Sequence, residues 1–307
     1  MSSYLPRQGA LGFARRLAAL VLLGAAWLGA AQAQTAPLQE EAEKAWQAAA
    51  TVAVKGPQDV KLANQATLHL PEGKVFIPHA EAARLLHVMG NPGDYADLQG
   101  LVLPGDQAHW MAIVRFEKSG YIKDDDAKHW DADDMLKSYR EGTEEGNKER
   151  KKMGVAGLEI VGWAEKPTYA ADAHRLVWAM STRELGAPAN EPQGVNYNTF
   201  ALGREGYVSV NLVTGLNELP QDKAQAAQLL GALEFDSGKR YQDFDASTDH
   251  VAEYGLAALV LGVGAKKLGL FAVVFAFLAK FAKVFILAGL GAGGALMKFF
   301  RRDKTQA

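Results

Sequence analysis

Apolar and polar positions change period several times between Gln34 and Tyr254, and each change marks a predicted element. Trp110, Ala112, Val114 and Phe116 alternate with Met111, Ile113, Arg115 and Glu117, the period of a half-buried strand. Thr67 to Leu70 and Lys74 to Ile77 flank Pro71-Glu72-Gly73 and predict a tight hairpin. Four further strands follow in antiparallel-looking pairs, Leu158 to Glu165 with Arg175 to Thr182, and Val195 to Leu202 with Tyr207 to Val213. The second pair is joined by the short turn Gly203-Arg204-Glu205-Gly206.

Helical stretches lie apart from these hairpins. Pro37 to Thr51 reads as a surface helix closed by Gly56-Pro57, and Glu81 to Met89 as a helix capped by Gly90 and stopped by Asn91-Pro92. Asp131 to Met153 carries Leu136, Tyr139 and Thr143 on one side and a Glu144/Lys148 pair, while Gly142 and Gly146 weaken its second half. Gln221 to Leu233 is the last helix before Phe235 to Phe244. Strand–helix alternation is absent, which predicts an α+β fold with an antiparallel sheet of hairpins and flanking helices rather than a parallel sheet.

Both ends of the chain have a different character. Arg7, Arg15 and Arg16 precede an apolar run from Leu17 to Ala30 and then Ala31-Gln32-Ala33, the grammar of a cleavable secretory signal over residues 1–33. An uncleaved anchor is the rival, but fourteen apolar residues fall short of the roughly 20 that a bilayer core needs. From Gly255 to Ala307 the chain is apolar, rich in Gly and Ala and punctuated by Lys. The best-placed span is Val284 to Phe300, with Lys280 and Lys283 at the outer interface and the basic tail 301–307 inside. Gly255 to Lys283 then reads as a membrane-associated helix feeding it, with Asp249 placed to cap its start, and Gly289/Gly293 offer a small-xxx-small face for a homodimer. A two-span hairpin would bury Lys266 and Lys267 and has neither Gly nor Pro in its turn.

Charge sharpens this layout, because the net −2 is a sum of unlike parts. Residues 34–254 hold twenty-two basic and thirty-four acidic side chains, whereas 255–307 hold eight basic and one acidic. An acidic exported domain argues against a nucleic-acid partner. The absence of Cys excludes disulfides, thiol nucleophiles and a lipidated-cysteine anchor.

Chemistry is weakly marked. Asp124, Asp125 and Asp126 with Asp131, Asp133 and Asp134 could hold a divalent cation, but the spacing is not that of an EF-hand. The competing reading makes Asp131 an N-cap and leaves the rest in solvent or at the positive helix end. The seven histidines form no HExxH and no pair at i+3 or i+4, and no GxSxG, Walker A loop, SxxK or cofactor fingerprint occurs. Trp163, Trp178, Asn196, Tyr197, Asn198 and Arg204 sit on or beside neighbouring predicted strands and could line a groove for a glycan or peptide. Alternatively, the aromatics fill the core and the amides pair across strands.

In order along the chain, LPEG (70–73), GYIKDDDA (120–127), GTEEGN (142–147), VGWAEKPTY (161–169), HRLVWA (174–179), NYNT, LGREG (202–206) and GKRYQDFDASTD (238–249) occur. Together these segments resemble a group of uncharacterised bacterial membrane-anchored proteins whose exported domain has no known function, over about Gly56 to Arg302. The resemblance implies a signal peptide, a periplasmic domain at 34–254 and a C-terminal anchor in the inner membrane. It implies no cofactor and no catalytic residue. The expected function is therefore a non-enzymatic binding or scaffold module facing an envelope protein or glycan. A membrane-tethered envelope hydrolase and a divalent-cation sensor are the alternatives.

Overall fold

The period-two segments pair into one large antiparallel sheet. In the computed structural model, residues 32–261 are described apart from 90–94, 107, 129 and 153–155. The elements run α1 (Gln32–Val52), β1 (Val54–Lys55), β2 (Gln58–Leu62), β3 (Ala66–Leu70), β4 (Lys74–Pro78), α2 (His79–Val88), β5 (Leu98–Pro104) and β6 (Met111–Glu117). A 3-10 turn (Asp125–Lys128), α3 (Ala132–Lys152), β7 (Leu158–Ala170), β8 (Arg175–Glu184), β9 (Gly194–Leu202) and β10 (Tyr207–Gly215) follow. The described chain ends with α4 (Leu219–Gly231), β11 (Leu233–Phe235), a second 3-10 turn (Tyr241–Asp243) and α5 (Leu256–Leu261). Contacts divide the chain into Met1–Lys44 and Ala45–Ala307. Of the first unit only the start of α1 is described, with an exposed Glu40–Lys44 ion pair one turn apart at 2.6 Å. All that follows concerns the second.

Eight strands form the main sheet in the order β1-β4-β5-β6-β10-β9-β8-β7, and β11-β3-β2 form a smaller one. Both predicted hairpins in the second half hold: β7 pairs with β8, and β9 with β10 from Tyr207/Leu202 to Gly215/Gly194. The predicted hairpin at Pro71-Glu72-Gly73 does not. Its strands exist, but β3 lies between β11 and β2 whereas β4 lies between β1 and β5, so each already has two partners in a different sheet. The turn is a crossing point between sheets, and the chain passes close to it at Gly56, where a Cβ would stand 1.9 Å from the Pro71 carbonyl oxygen.

Strand β6 was expected to be half-buried, yet five of its residues are buried and neither face is open. Both faces of the sheet are covered. On one, Ala112, Val114, Tyr197, Val208 and Val210 pack with Leu219, Leu229 and Leu230 of α4 and with Leu62, Leu68 and Leu70 of the small sheet. The other face has two separate covers. Ala45 and Ala49 of α1 and Leu85 and Leu86 of α2 pack on Ile77, Leu101 and Ile113, while Met135 of α3 and Leu256 and Leu259 of α5 pack on Leu158, Leu176, Trp178 and Phe200.

Helix α3 runs through Gly142 and Gly146 to Lys152, because its inner side is tied to the exposed edge of β7. Arg140 donates to the carbonyls of Ile160 and Val161 at 3.3 and 2.7 Å, and Asn147 bonds both the carbonyl and the N–H of Leu158. An open strand edge is a template for aggregation, and these side chains occupy part of it. The predicted cap at Asp131 is present, its Oδ1 accepting from Asp133 and Asp134 N–H at 2.8 and 3.0 Å. Those backbone donors hold its carboxyl below the ordinary value.

The predicted cap of the tail helix is different from expectation. Asp126, not Asp249, accepts from Leu256 and Ala257 N–H at 3.1 and 3.0 Å, since Asp249 is engaged by Arg204. Among the described residues no helix is long and apolar enough to cross a membrane. Residues 1–31 of the predicted signal, the span at 284–300, the tail 301–307 and Gly289/Gly293 lie outside the described residues.

Candidate functional site

At one end of the main sheet, β8 begins, β9 ends, and β11 and the Tyr241–Asp243 turn close over them. The register places Arg175 opposite Ala201, and Leu202 N–H donates to the carbonyl of His174 at 2.9 Å. Here lies a cavity of about 190 Å³ lined by His174, Arg175, Leu202, Glu234, Phe235, Arg240, Tyr241 and Gln242. His174 has φ +51°, a left-handed conformation unusual for a residue with a side chain. It closes the turn that follows β7 and sets its imidazole flat on Tyr241, with ring centres 4.1 Å apart.

Behind the cavity wall the polar groups are interlocked. Tyr169 donates its hydroxyl to Asp124 Oδ2 at 2.7 Å, and His174 Nδ1 stands 3.3 Å from that hydroxyl and 3.9 Å from Asp124. Tyr241 donates to the Ile122 carbonyl at 2.8 Å, and Tyr121 stacks between Tyr241 and Phe244 at 4.4 and 3.8 Å. Burial, reinforced for Tyr169 by Asp124, pushes both hydroxyls far above their ordinary pKa, so they stay protonated donors.

The two guanidinium groups of the cavity differ. Arg240 lies 3.5 Å from Glu234. The Arg175 side chain has no hydrogen bond or ion pair to any described residue, and burial lowers its pKa. A partly desolvated cation without a counter-charge is an electrostatic deficit at this position.

Beside the cavity stands a fully compensated region. Arg204 grips Asp249 with two N–H donors at 2.7 and 2.8 Å and donates to the Gly238 carbonyl at 3.3 Å. Lys239 pairs with Glu205, which also accepts from Gln65 at 3.1 Å, and Arg204 N–H donates to the Lys239 carbonyl. Hydrogen bonds from Arg204 hold the Asp249 carboxyl far below the usual carboxylate range.

The sequence-predicted groove residues are not assembled in one place. Trp163 Nε1 donates to the Ala132 carbonyl at 2.9 Å, fixing the start of α3, and Tyr139 meets its ring edge-on. Trp178 is buried against Phe200, and its Nε1 meets no acceptor in full hydrogen-bond geometry among the described residues, with Tyr139 as its polar neighbour. Asn196 and Asn198 are buried on the same sheet face as Trp178, since Asn198 lies opposite it in register. Tyr197 points to the other face, donates to Glu165 at 3.2 Å, and is pushed up to about 12 by burial. Arg204 belongs to the clamp with Asp249. Of the proposed cation ligands, Asp124 serves Tyr169, Asp126 caps α5, Asp131 caps α3 and Asp125 is exposed. No group of three or more metal-type ligands converges among the described residues.

The residues that do converge, His174, Arg175, Arg240, Tyr241 and Gln242, stand inside HRLVWA and GKRYQDFDASTD. Fifty-eight residues of chain, 180–237, separate the two segments, and the β8–β9 pairing and the Gly203–Arg240 bridge bring them together.

A family model described as a protein of unknown function (DUF2167) matches residues 54–291. No curated protein matches the chain. Among solved structures, the solution structure of cyanobacterial PsbP (CyanoP) from Synechocystis sp. PCC 6803 is similar at 11% identity and a TM-score of 0.35, covering 58% of this chain and 92% of that one.

Proposed function

The chain belongs to this family of proteins of unknown function (DUF2167), and we propose that it is a non-enzymatic binding module of the bacterial envelope whose end-of-sheet cavity takes an anionic group. The unpartnered Arg175 carries this reading. A guanidinium offers a planar fork of donors suited to a carboxylate or phosphate, and a bound anion would supply the counter-charge it lacks. Arg240 and Gln242 in the lining add donors, and the rings of His174, Phe235 and Tyr241 add aromatic surface beside them for the rest of the ligand. An acidic sugar of an envelope glycan has both features.

Binding is favoured over hydrolysis by what the wall contains. Its one carboxylate, Glu234, is paired with Arg240, no Ser or Thr lines the cavity, and the Tyr241 hydroxyl is committed to the Ile122 carbonyl. A hydrolase would need a nucleophile or an activated water beside a free base. The envelope location rests on the signal-like N-terminus and the apolar, Lys-punctuated C-terminus, with α5 as the first turn of the tail. In this reading the domain sits beside the inner membrane, facing the periplasm.

Calorimetric titration of the detergent-solubilised full chain with phosphate, acetate and glucuronate tests the proposal. At least one should bind, and Arg175→Gln should weaken it about tenfold or more, as loss of a charged hydrogen bond requires. Unchanged affinity in Arg175→Gln, or no binding by any of the three, overturns it.

A further inference from the structure

The end-of-sheet cavity holds one imidazole, the side chain whose charge changes most readily near neutral pH. His174 lines the cavity next to Arg175, and the left-handed backbone at the end of its turn sets the ring on Tyr241. Its neighbours decide which ring nitrogen carries the proton. The single hydroxyl proton of Tyr169 goes to Asp124 Oδ2 at 2.7 Å, so the Tyr169 oxygen meets His174 Nδ1, 3.3 Å away, as an acceptor. Nδ1 is therefore protonated in the neutral ring. A second proton must enter at Nε2, which has no hydrogen bond to any described residue.

The charges around the ring are of both signs. Asp124 Oδ2, 3.9 Å from Nδ1, favours the imidazolium, whereas Arg175 and Arg240 in the same lining oppose it. Tyr169 and Tyr241, which touch the ring, stay neutral because burial raises both hydroxyls, and Tyr121 lies beyond Tyr241. Glu234 is divided between Arg240 at 3.5 Å and His69 Nε2 at 3.6 Å. In the ligand-free cavity a charged His174 would thus be a third cation beside two guanidinium groups. An anion bound among them reverses the balance, since it is attracted by the imidazolium as well.

We propose that His174 makes anion binding at this cavity proton-linked: the anion is taken up together with a proton on Nε2, so the site fills in mildly acidic surroundings and empties as pH rises. The coupling rests on the reading of the Arg175 cavity as an anion site. Arg175 carries its charge at every physiological pH and defines what is bound; His174 carries its charge only on the acid side and defines when. By linkage, whatever the proton adds to anion affinity the anion adds to proton affinity.

The test uses the detergent-solubilised full chain with sulfate, acetate and glucuronate, probes whose charge is constant between about pH 6 and about pH 8, where an imidazole titrates. Calorimetric affinity should be about fivefold tighter at the acid end, and heats in two buffers of different ionisation enthalpy should show proton uptake on binding. His174→Asn, chosen because Asn tolerates a left-handed backbone, should flatten the pH dependence and remove the uptake. Asp124→Asn keeps an acceptor for Tyr169 without the charge behind the ring, and should weaken binding at the acid end only. His69, whose own pKa is raised by its bond to Asp59, is the second histidine within reach of the cavity through Glu234. His69→Asn should leave the pH dependence in place. If His174→Asn does not fold, Asp124→Asn and the proton uptake of the wild type still decide. Equal affinity at both pH values, or a pH dependence that survives His174→Asn and vanishes in His69→Asn, overturns the coupling and leaves the anion site standing. No binding of any probe at either pH overturns both.

Discussion

Arg175 and Arg204 stand at the same end of the main sheet, one opening β8 and the other just past the end of β9, yet their surroundings are opposite. Arg204 is held by two short bonds to Asp249 and a third to Gly238. Arg175 lines a cavity, and its side chain has no partner among the described residues. Both lie in segments that mark the family resemblance, so membership in such a segment does not distinguish a residue that ties the fold from one that is free to bind. The difference is made by what the rest of the chain delivers: Asp249 arrives at Arg204, and no described residue supplies a counter-charge to Arg175.

The largest effect should come from removing the core on which both regions rest. Phe200 is 1% exposed, stacks on Tyr207 with ring centres 4.7 Å apart and meets Trp178 edge-on at the same distance. Phe200→Ala should lower unfolding stability by roughly 3–5 kcal/mol, measured by denaturant titration. Clamp and cavity should then fail together. Retention of full stability would mean that the end of the sheet is held mainly by its ion pairs.

Next in size is the clamp itself. The Asp249 pKa is depressed in the folded state, so its contribution is present above the unfolded value of about 3.9 and is lost as pH falls through and below it. Asp249→Asn should therefore reduce stability at neutral pH, and its curve should converge with that of the wild type in acid. Glu205, Asp131 and Asp245 are depressed too, so part of the wild-type acid sensitivity should remain. Arg204→Met should be at least as harmful, because it leaves the carboxylate of Asp249 without its cation. Parallel curves for Asp249→Asn and wild type across pH 2–7, roughly the range over which carboxylates titrate, would remove Asp249 as the source.

Local signals in the sequence were sufficient wherever the structure is local. The turn at Gly203–Gly206 joins adjacent antiparallel strands, and the Asp131 cap acts within its own first turn, so both were legible. The Pro71–Gly73 turn looked the same, but partners from β1, β5, β2 and β11 decided the pairing. The end-of-sheet cavity was not legible for the same reason: His174 and Tyr241 meet only through the sheet, and the aromatic and amide residues that stood out in the sequence proved to be divided between two faces. Trp178 and Asn198 were placed on neighbouring strands, and the observed register sets them opposite each other. Their alternation with Tyr197 was the sign that Tyr197 would face the other way.

A smaller effect separates members of the acidic segment. Asp126 receives two N–H donors at the start of α5, whereas Asp125 is exposed. Asp126→Ala should cost about 1 kcal/mol, within the usual range for a lost N-cap, and should increase amide exchange at Leu256 and Ala257. Asp125→Ala should stay within about 0.5 kcal/mol of wild type. Equal losses from both substitutions would indicate a general charge effect in place of a specific cap.

The smallest effect on stability is expected at the residue proposed to matter most for binding. The Arg175 side chain is partly desolvated and has no counter-charge among the described residues, so its charge contributes no ion pair to the ligand-free fold there. Arg175→Met keeps most of the apolar stem and removes the unpaired cation. The ligand-free protein should then unfold within about 0.5 kcal/mol of wild type, with any change toward greater stability. Arg204→Met, a substitution of the same chemistry only a short distance along the sheet end, should be clearly destabilising under the same conditions. If the two methionine variants instead lost similar stability, Arg175 would have a structural partner, and the contrast between a tied and a free arginine would fail.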